Sequence, residues 1–207
     1  MQNRVYLIGI GGIGMSAIAR HFNFAGSKVG GYDLTPSALT EALVREGIDV
    51  TFSKEVDAIP PEFRDSKGDT LVIYTPAIPN DHPQLRYFVD NGFHVIKRSV
   101  ALGHIAKDKS CLAVAGTHGK TTTSTLLAHI VKQAFGSCTA FLGGISKNTE
   151  SNLMLGKNQW LVAEADEFDR SFLQLFPHAA VITSADADHL DIYGTHDEVK
   201  RAFAQFA

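Results

Sequence analysis

The chain has 207 residues, 44% of them hydrophobic, 9% aromatic and 20% charged, a composition that excludes disordered and fibrous classes and fits one or two globular domains. Nineteen basic and 22 acidic side chains leave a formal net charge of -3. No bulk positive field therefore holds a nucleic-acid backbone or an anionic membrane, and an anionic ligand has to be captured locally.

No apolar run reaches the roughly 20 residues that a bilayer span needs. Arg4 followed by VYLIGIGGIGM has some likeness to a signal-peptide core, but its dense glycines and lack of a cleavage site fit a strand-turn-helix better. Cys111 and Cys138 sit in apolar runs. They form no disulfide framework and read as inert core thiols in a reducing cytoplasm.

Residues 5–8 are a short apolar run ending in glycines, and residues 13–24 recur at helical spacing, the opening of a strand-helix-strand unit. Residues 29–33 read as the second strand. Thr35 and Pro36 then predict an N-cap with proline at the first helical position, with Ala38, Leu39, Ala42 and Leu43 as the apolar face and Gly47 as the stop. Further strands are expected at 50–52, 70–74 and 94–96, and a helix over 83–91 ended by Gly92. Alternating strands and helices imply a parallel sheet covered on both faces.

The polar segment 107–110 is the expected boundary, after which strand 111–115 restarts the alternation. Leu126, Leu127, Ile130, Val131 and Ala134 form a helical stripe, and strands follow at 139–142, 160–163 and 179–182. Val199, Ala202, Phe203 and Phe206 are spaced for one more helix. That helix meets no stop signal, so the second domain is expected to be incomplete and to expose apolar surface.

Two turns carry the chemistry. Gly9-Ile10-Gly11-Gly12-Ile13-Gly14 is a G-x-G-x-x-G between strand and helix, where glycine lets the backbone approach a diphosphate and the helix N-terminus favours negative charge. Asp33 follows 19 residues after Gly14, where a carboxylate can accept hydrogen bonds from ribose hydroxyls. The second turn runs from Ala115 through Gly116, Thr117, His118, Gly119, Lys120, Thr121 and Thr122. It departs from the general P-loop spacing, because position 114 is valine. Gly119 still allows close approach, Lys120 can neutralise β- and γ-phosphate charge, and Thr121 can place a hydroxyl on Mg2+.

A triphosphate site also needs acidic metal ligands at a neighbouring strand end. Strand 160–163 runs into Glu164-Ala165-Asp166-Glu167, with Glu164 the expected Mg2+ ligand. Strand 179–182 empties into a polar loop containing His189, which is expected on the same sheet edge as Lys120 and Glu164 and in reach of a phosphate or second metal. No further His or Cys lies at zinc-ligand spacing around His189. The fold class is therefore α/β: a Rossmann-like parallel-sheet domain over 1–107, then a partial P-loop-type α/β ATP-binding domain over 108–207.

GIGGIGM, Asp33, GTHGKTTT, AEADEFDRSF and DADHLDIYG together resemble the Mur ligase family of bacterial peptidoglycan synthesis, in the family's order and over essentially the whole chain. The pattern is most similar to the branch that adds the first amino acid. Other Mur ligases and the folylpolyglutamate ligases mostly carry Asn where this chain has His118. The tripeptide-recycling branch shares that histidine but usually has GICGTFM in the first loop.

The resemblance implies an ATP-dependent amide ligase of three domains. ATP and Mg2+ are the expected cofactors, and UDP-N-acetylmuramate and L-alanine the expected small-molecule substrates, with no nucleic-acid or membrane partner and the oligomeric state left open. By the same resemblance Gly11, Gly12, Ile13 and Gly14 face the diphosphate, Asp33, Thr75, Pro76, Ala77 and Ile78 lie near the uridine, and Arg98 supports the muramate side. Gly116, Thr117, His118, Gly119, Lys120, Thr121 and Thr122 would hold ATP. Thr121 and Glu164 would hold one Mg2+ and His189 the second, with Lys120, Glu164 and His189 as the catalytic set.

The implied chemistry is activation of a carboxylate as an acyl phosphate, followed by attack of the amine. Lys120 and Mg2+ would cancel the charge between two anionic substrates. The remainder of the central domain and a C-terminal ligase domain are expected outside these residues, so the chain alone is expected not to ligate. Two other readings remain open at this stage. The first loop and Asp33 alone fit an NAD(P)-dependent oxidoreductase, and the first domain alone fits a non-catalytic UDP-sugar-binding module.

Overall fold

The fold is taken from a computed structural model that describes residues 3–146 and 151–207. The chain divides into two compact units, one running to Ala101 and one starting at Leu102.

The first unit contains β1 (Arg4–Ile8), α1 (Ile13–Phe24), β2 (Lys28–Tyr32), α2 (Ala38–Arg45), β3 (Asp49–Thr51), α3 (Pro61–Arg64), β4 (Thr70–Tyr74), α4 (Pro83–Asp90) and β5 (His94–Lys97). Helix α5 (Arg98–Ala106) begins at its end and runs on past the division. The sheet order is β3-β2-β1-β4-β5 and every pair is parallel. Ile8 pairs with Tyr32 on one side and Tyr74 on the other. That register puts Gly9, Asp33 and Thr75 together at one sheet edge.

Strand β1 is buried from Val5 to Ile8, as expected of a central parallel strand covered on both faces. Its neighbour β2 contains Gly30 and Gly31. A Cβ on Gly30 would lie 2.7 Å from the Phe63 ring, and one on Gly31 2.3 Å from the Leu7 carbonyl oxygen. The two glycines therefore let an aromatic side chain and the next strand come close. Phe63, Tyr6, Phe88 and Phe93 then make the aromatic part of this core. Tyr6 donates to Gln84 at 3.0 Å, and the Gln84 amide donates to the Ser53 and Glu55 carbonyls at 3.0 and 3.2 Å. Burial raises the Tyr6 pKa, so the phenol stays a neutral donor.

The predicted start of α2 moves by two residues. Ser37 is the N-cap, accepting from the Thr40 N–H, while Thr40 accepts from the Ser37 N–H at 2.8 Å. This reciprocal pair satisfies two otherwise unpaired donors, which Thr35 and Pro36 do not. Gly47 and Gly92 follow α2 and α4 with φ of +82° and +66°, the left-handed conformation that glycine adopts at helix ends.

The second unit contains β6 (Ser110–Ala115), α6 (Lys120–Phe135), β7 (Thr139–Ser146), β8 (Ser151–Met154), β9 (Trp160–Glu164), β10 (Ala179–Ile182), α7 (Leu190–Tyr193) and α8 (His196–Phe206). Its order is β10-β6-β9-β7-β8, parallel except for the antiparallel β7-β8 pair. The sheet is therefore mixed, within the α/β class expected of this half.

The face of α6 matches expectation in part: Val131 is buried and Leu127 packs against the core beside it. Ser124, Ala128 and Val131 are its buried residues, whereas Leu126 and Ile130 are 58% and 52% exposed. Ser124 and Ala128 let the helix lie close over β7 and β9, while Leu126 and Ile130 turn outward. In α8 the expected stripe is the buried one: Val199, Ala202, Phe203 and Phe206. Apolar surface is exposed, with Phe176 at 85% and Val181 at 45%.

Among the described residues no helix is long and apolar enough to cross a membrane. Cys111 and Cys138 are free and buried, and burial pushes each thiol up to about 11. Both thiols should resist a disulfide reagent at pH 8 in the native chain and react after unfolding in urea, measured by thiolate release. The raised values also set a sign: the native state keeps these protons longer than the unfolded state, so stability should fall as pH rises from about 9 to about 11.

Candidate functional site

In the first unit the glycine turn is shaped by the end of β2. The N–H groups of Gly9 and Ile10 both donate to the Tyr32 carbonyl, at 2.7 and 2.9 Å. Gly11 N–H donates to Asp33 Oδ2 at 2.7 Å. Asp33 thus holds the turn with one oxygen. A Cβ on Gly11 would lie 2.8 Å from that oxygen, so glycine is needed for the contact. Gly9 is left-handed, with φ +88°.

The turn opens on a cavity of about 760 Å3 lined by Gly9, Gly11, Gly12, Asp33, Thr75 and Ala77, and also by Tyr32, Lys54, Ile78 and His82. Gly11, Gly12, Asp33, Thr75 and Ala77 are therefore brought together as expected from sequence. Ile13, Gly14, Pro76 and Arg98 lie outside this lining. Arg98 instead covers the start of α1, where a Cβ on Gly14 would come within 2.5 Å of its Nη1.

Lys54 and His82 were not anticipated. His82 stacks obliquely on Tyr32 with ring centres 4.6 Å apart. It is buried, and neither ring nitrogen has a hydrogen-bond partner. Burial and then Lys54 push its imidazole below the ordinary histidine value, with Asp81 acting the other way. A neutral ring results, and no spacing in the sequence marks it.

In the second unit, Ala115 pairs with Ile182 and Val114 with Glu164. The turn after β6, the end of β9 and the loop after β10 therefore share one edge. Gly116 has φ +129°, and a Cβ there would sit 2.1 Å from Thr183 Oγ1 and 2.8 Å from the Ser184 nitrogen. Thr117 Oγ1 lies 2.7 Å from Ser184 Oγ and accepts from the Asp186 N–H at 3.1 Å. His118 N–H donates to Ser184 Oγ at 3.1 Å. The loop after β10 thus braces the turn from outside. Gly119, left-handed at φ +81°, caps α6, and Thr122 is exposed on its first turn.

Two carboxylates divide the work at this edge. Glu164 accepts from Thr121 Oγ1 at 3.0 Å, Ser124 Oγ at 3.3 Å and Gly143 N–H at 2.8 Å. Glu167 is 1% exposed and takes Lys120, whose Nζ stands 2.9 Å from both of its oxygens and is hydrogen-bonded to Oε1. His189 faces the same carboxylate, with Nε2 3.8 Å from Glu167 Oε1 and its ring edge-on to Phe168 at 5.5 Å. His189 has φ +51°. Thr121 and Glu164 thus meet as expected, while Lys120 and His189 meet at Glu167, which had passed as the last member of an acidic run.

Each unit therefore places a glycine-bearing turn and a carboxylate at the C-terminal edge of a sheet with parallel central strands, the arrangement common among nucleotide-binding α/β proteins. Residues 4–110 match the Mur ligase family, catalytic domain, and residues 114–207 the Mur ligase middle domain; the chain belongs to the Mur ligase family. It is 58% identical over 206 residues to the UDP-N-acetylmuramate–L-alanine ligase of Porphyromonas gingivalis, covering 99% of this chain and 45% of that protein. It is 57% identical to the ligase of the same name from Parabacteroides distasonis, covering 98% and 44%.

Among solved structures, the UDP-N-acetylmuramate-alanine ligase of Thermotoga maritima superposes with a TM-score of 0.87 at 33% identity, covering 98% of this chain and 46% of that one. The chain thus spans less than half the length of these relatives.

Gly116→Ala should force a Cβ into the brace and out of the left-handed region. A loss of about 2 kcal/mol in urea unfolding is expected, within the 1–3 kcal/mol typical of such strain.

Proposed function

We propose that these residues are the nucleotide-sugar and ATP-binding units of an ATP-dependent ligase that joins L-alanine to the carboxylate of UDP-N-acetylmuramate through an acyl phosphate, in the cytoplasm. The observation that carries this reading is the Lys120, Thr121 and Glu164 constellation beside a braced glycine turn. The similarity to ligases of that name supports the choice of substrates.

Mg2+ fits the residues present. Thr121 Oγ1 and Glu164 Oε1 are hard oxygen donors 3.0 Å apart, and Mg2+ characteristically takes one or two carboxylates along with phosphate oxygens and water. Thr121 and Glu164 would hold one ion, with His189 toward a second. When bound, the ions supply neutralisation of phosphate charge. Lys120 adds a mobile positive charge, and Gly116 and Gly119 keep the backbone bare where phosphate approaches.

In the first unit, Gly11, Gly12, Asp33, Thr75 and Ala77 line a cavity large enough for a nucleotide diphosphate. Arg98, on the far side of Gly14, would steady the start of α1 and the sugar end. No side chain is assigned as a nucleophile. Positioning and charge cancellation are the protein's contribution.

Titration with UDP-N-acetylmuramate and, separately, with NADH tests the reading. Binding of the UDP-sugar without NADH is expected, and tight NADH binding without a response to the UDP-sugar would sink it. Lys120→Ala should weaken ATP binding at least tenfold, ~1.4 kcal/mol, while UDP-sugar affinity changes by less than about twofold in the same calorimetric series.

A further inference from the structure

We propose that Glu167 is a positioning residue for the phosphate turn: it holds the Lys120 ammonium when the turn is empty and yields it to incoming phosphates, so that ATP competes with a carboxylate built into the protein. The inference rests on the reading that this turn binds ATP.

Glu167 is 1% exposed. A carboxylate that deeply buried is costly unless a cation and hydrogen bonds compensate it. Lys120 supplies both, at 2.9 Å from each oxygen. Oε2 has no directed hydrogen bond besides that ion pair, so the lysine is the main compensation. The other basic group nearby, His189, stands at 3.8 Å.

The same ammonium also donates to the turn's own carbonyls, Gly116 O at 2.6 Å and Thr117 O at 3.4 Å. All of its described contacts are internal, and the Lys120 side chain is only 17% exposed.

Which partner moves follows from the backbone. The Glu167 carbonyl is held by Tyr193 Oη at 2.6 Å and by the Arg170 N–H at 3.0 Å. The carboxylate is thus anchored through its own main chain, whereas Lys120 sits at the start of α6 on a flexible four-carbon stem. Phosphate binding therefore requires the ammonium to leave Glu167. The contact holds down affinity for triphosphate and gives the lysine a place to return when product departs.

ATP and inorganic tripolyphosphate binding, measured by calorimetry on this chain and on Glu167→Gln, Lys120→Ala and the double variant, tests this. Glu167→Gln should bind both ligands about tenfold more tightly, ~1.4 kcal/mol, and the gain should vanish in the Lys120→Ala background. A purely structural role predicts weaker binding. Equal or weaker binding by Glu167→Gln, or a gain that persists without Lys120, overturns the proposal while leaving the nucleotide reading intact. Failure of the unsubstituted chain to bind ATP overturns both. Should Glu167→Gln not fold, the Lys120 ammonium resonance of the unsubstituted chain decides, assigned by its loss in Lys120→Ala. It should be protected from exchange without ligand and shift on adding ATP; an exchange-broadened or unmoved resonance overturns the proposal.

Discussion

Parallel pairing along a central strand is the constraint on which both sites depend. Because Ile8 lies opposite Tyr32 and Tyr74, and Ala115 opposite Ile182, the chain leaves each sheet at one edge from several adjacent strands. Residues far apart in sequence are delivered there without any loop having to reach for them. Gly11 and Asp33, or Thr117 and Asp186, need only short hydrogen bonds to finish the arrangement. The hydrophobic burial that fixes the register, complete along Val5–Ile8 and nearly so in Cys111 and Ala113–Ala115, is therefore also what positions the polar groups.

The near-neutral charge of the chain acquires a structural meaning at these edges. Asp33 accepts from a turn N–H, Glu164 from two hydroxyls and a backbone N–H, and Glu167 from Lys120. These acidic groups hold the turns in shape without making the surface as a whole attractive to anions. On the reading proposed above, a phosphate would be recognised by local exchange of partners, not by a long-range field.

Much of the fold was legible because the strongest sequence signals are also the strongest physical ones. Apolar runs ending in glycine gave β1 and β6 with their turns, and the spacing of Val199, Ala202, Phe203 and Phe206 gave the buried face of α8. Where two readings competed, packing decided. Leu126 and Ile130 looked like a core stripe, yet close approach to the sheet favoured Ser124 and Ala128. Strand β8, with the sequence SNLM, has no alternation long enough to announce it. Helix α5 follows β5 without a break, so no turn residue marks its start. At the candidate sites, the meeting of Thr121 with Glu164 could be read from motif chemistry. The surroundings of Glu167 and His82 could not, because they come from burial and from neighbours distant in the chain.

Gly143 carries one more consequence. A Cβ there would fall 2.2 Å from Glu164 Oε1 and 2.5 Å from its Cδ, so the space beside β7 is occupied by the carboxylate of another strand. Positions 143 and 164 thus share a single volume. An alanine at 143 obliges the Glu164 carboxylate to swing aside, away from the Thr121 and Ser124 hydroxyls it accepts from. The bare backbone at 143 is thus the negative mould of the carboxylate, leaving it room to accept from the Gly143 N–H.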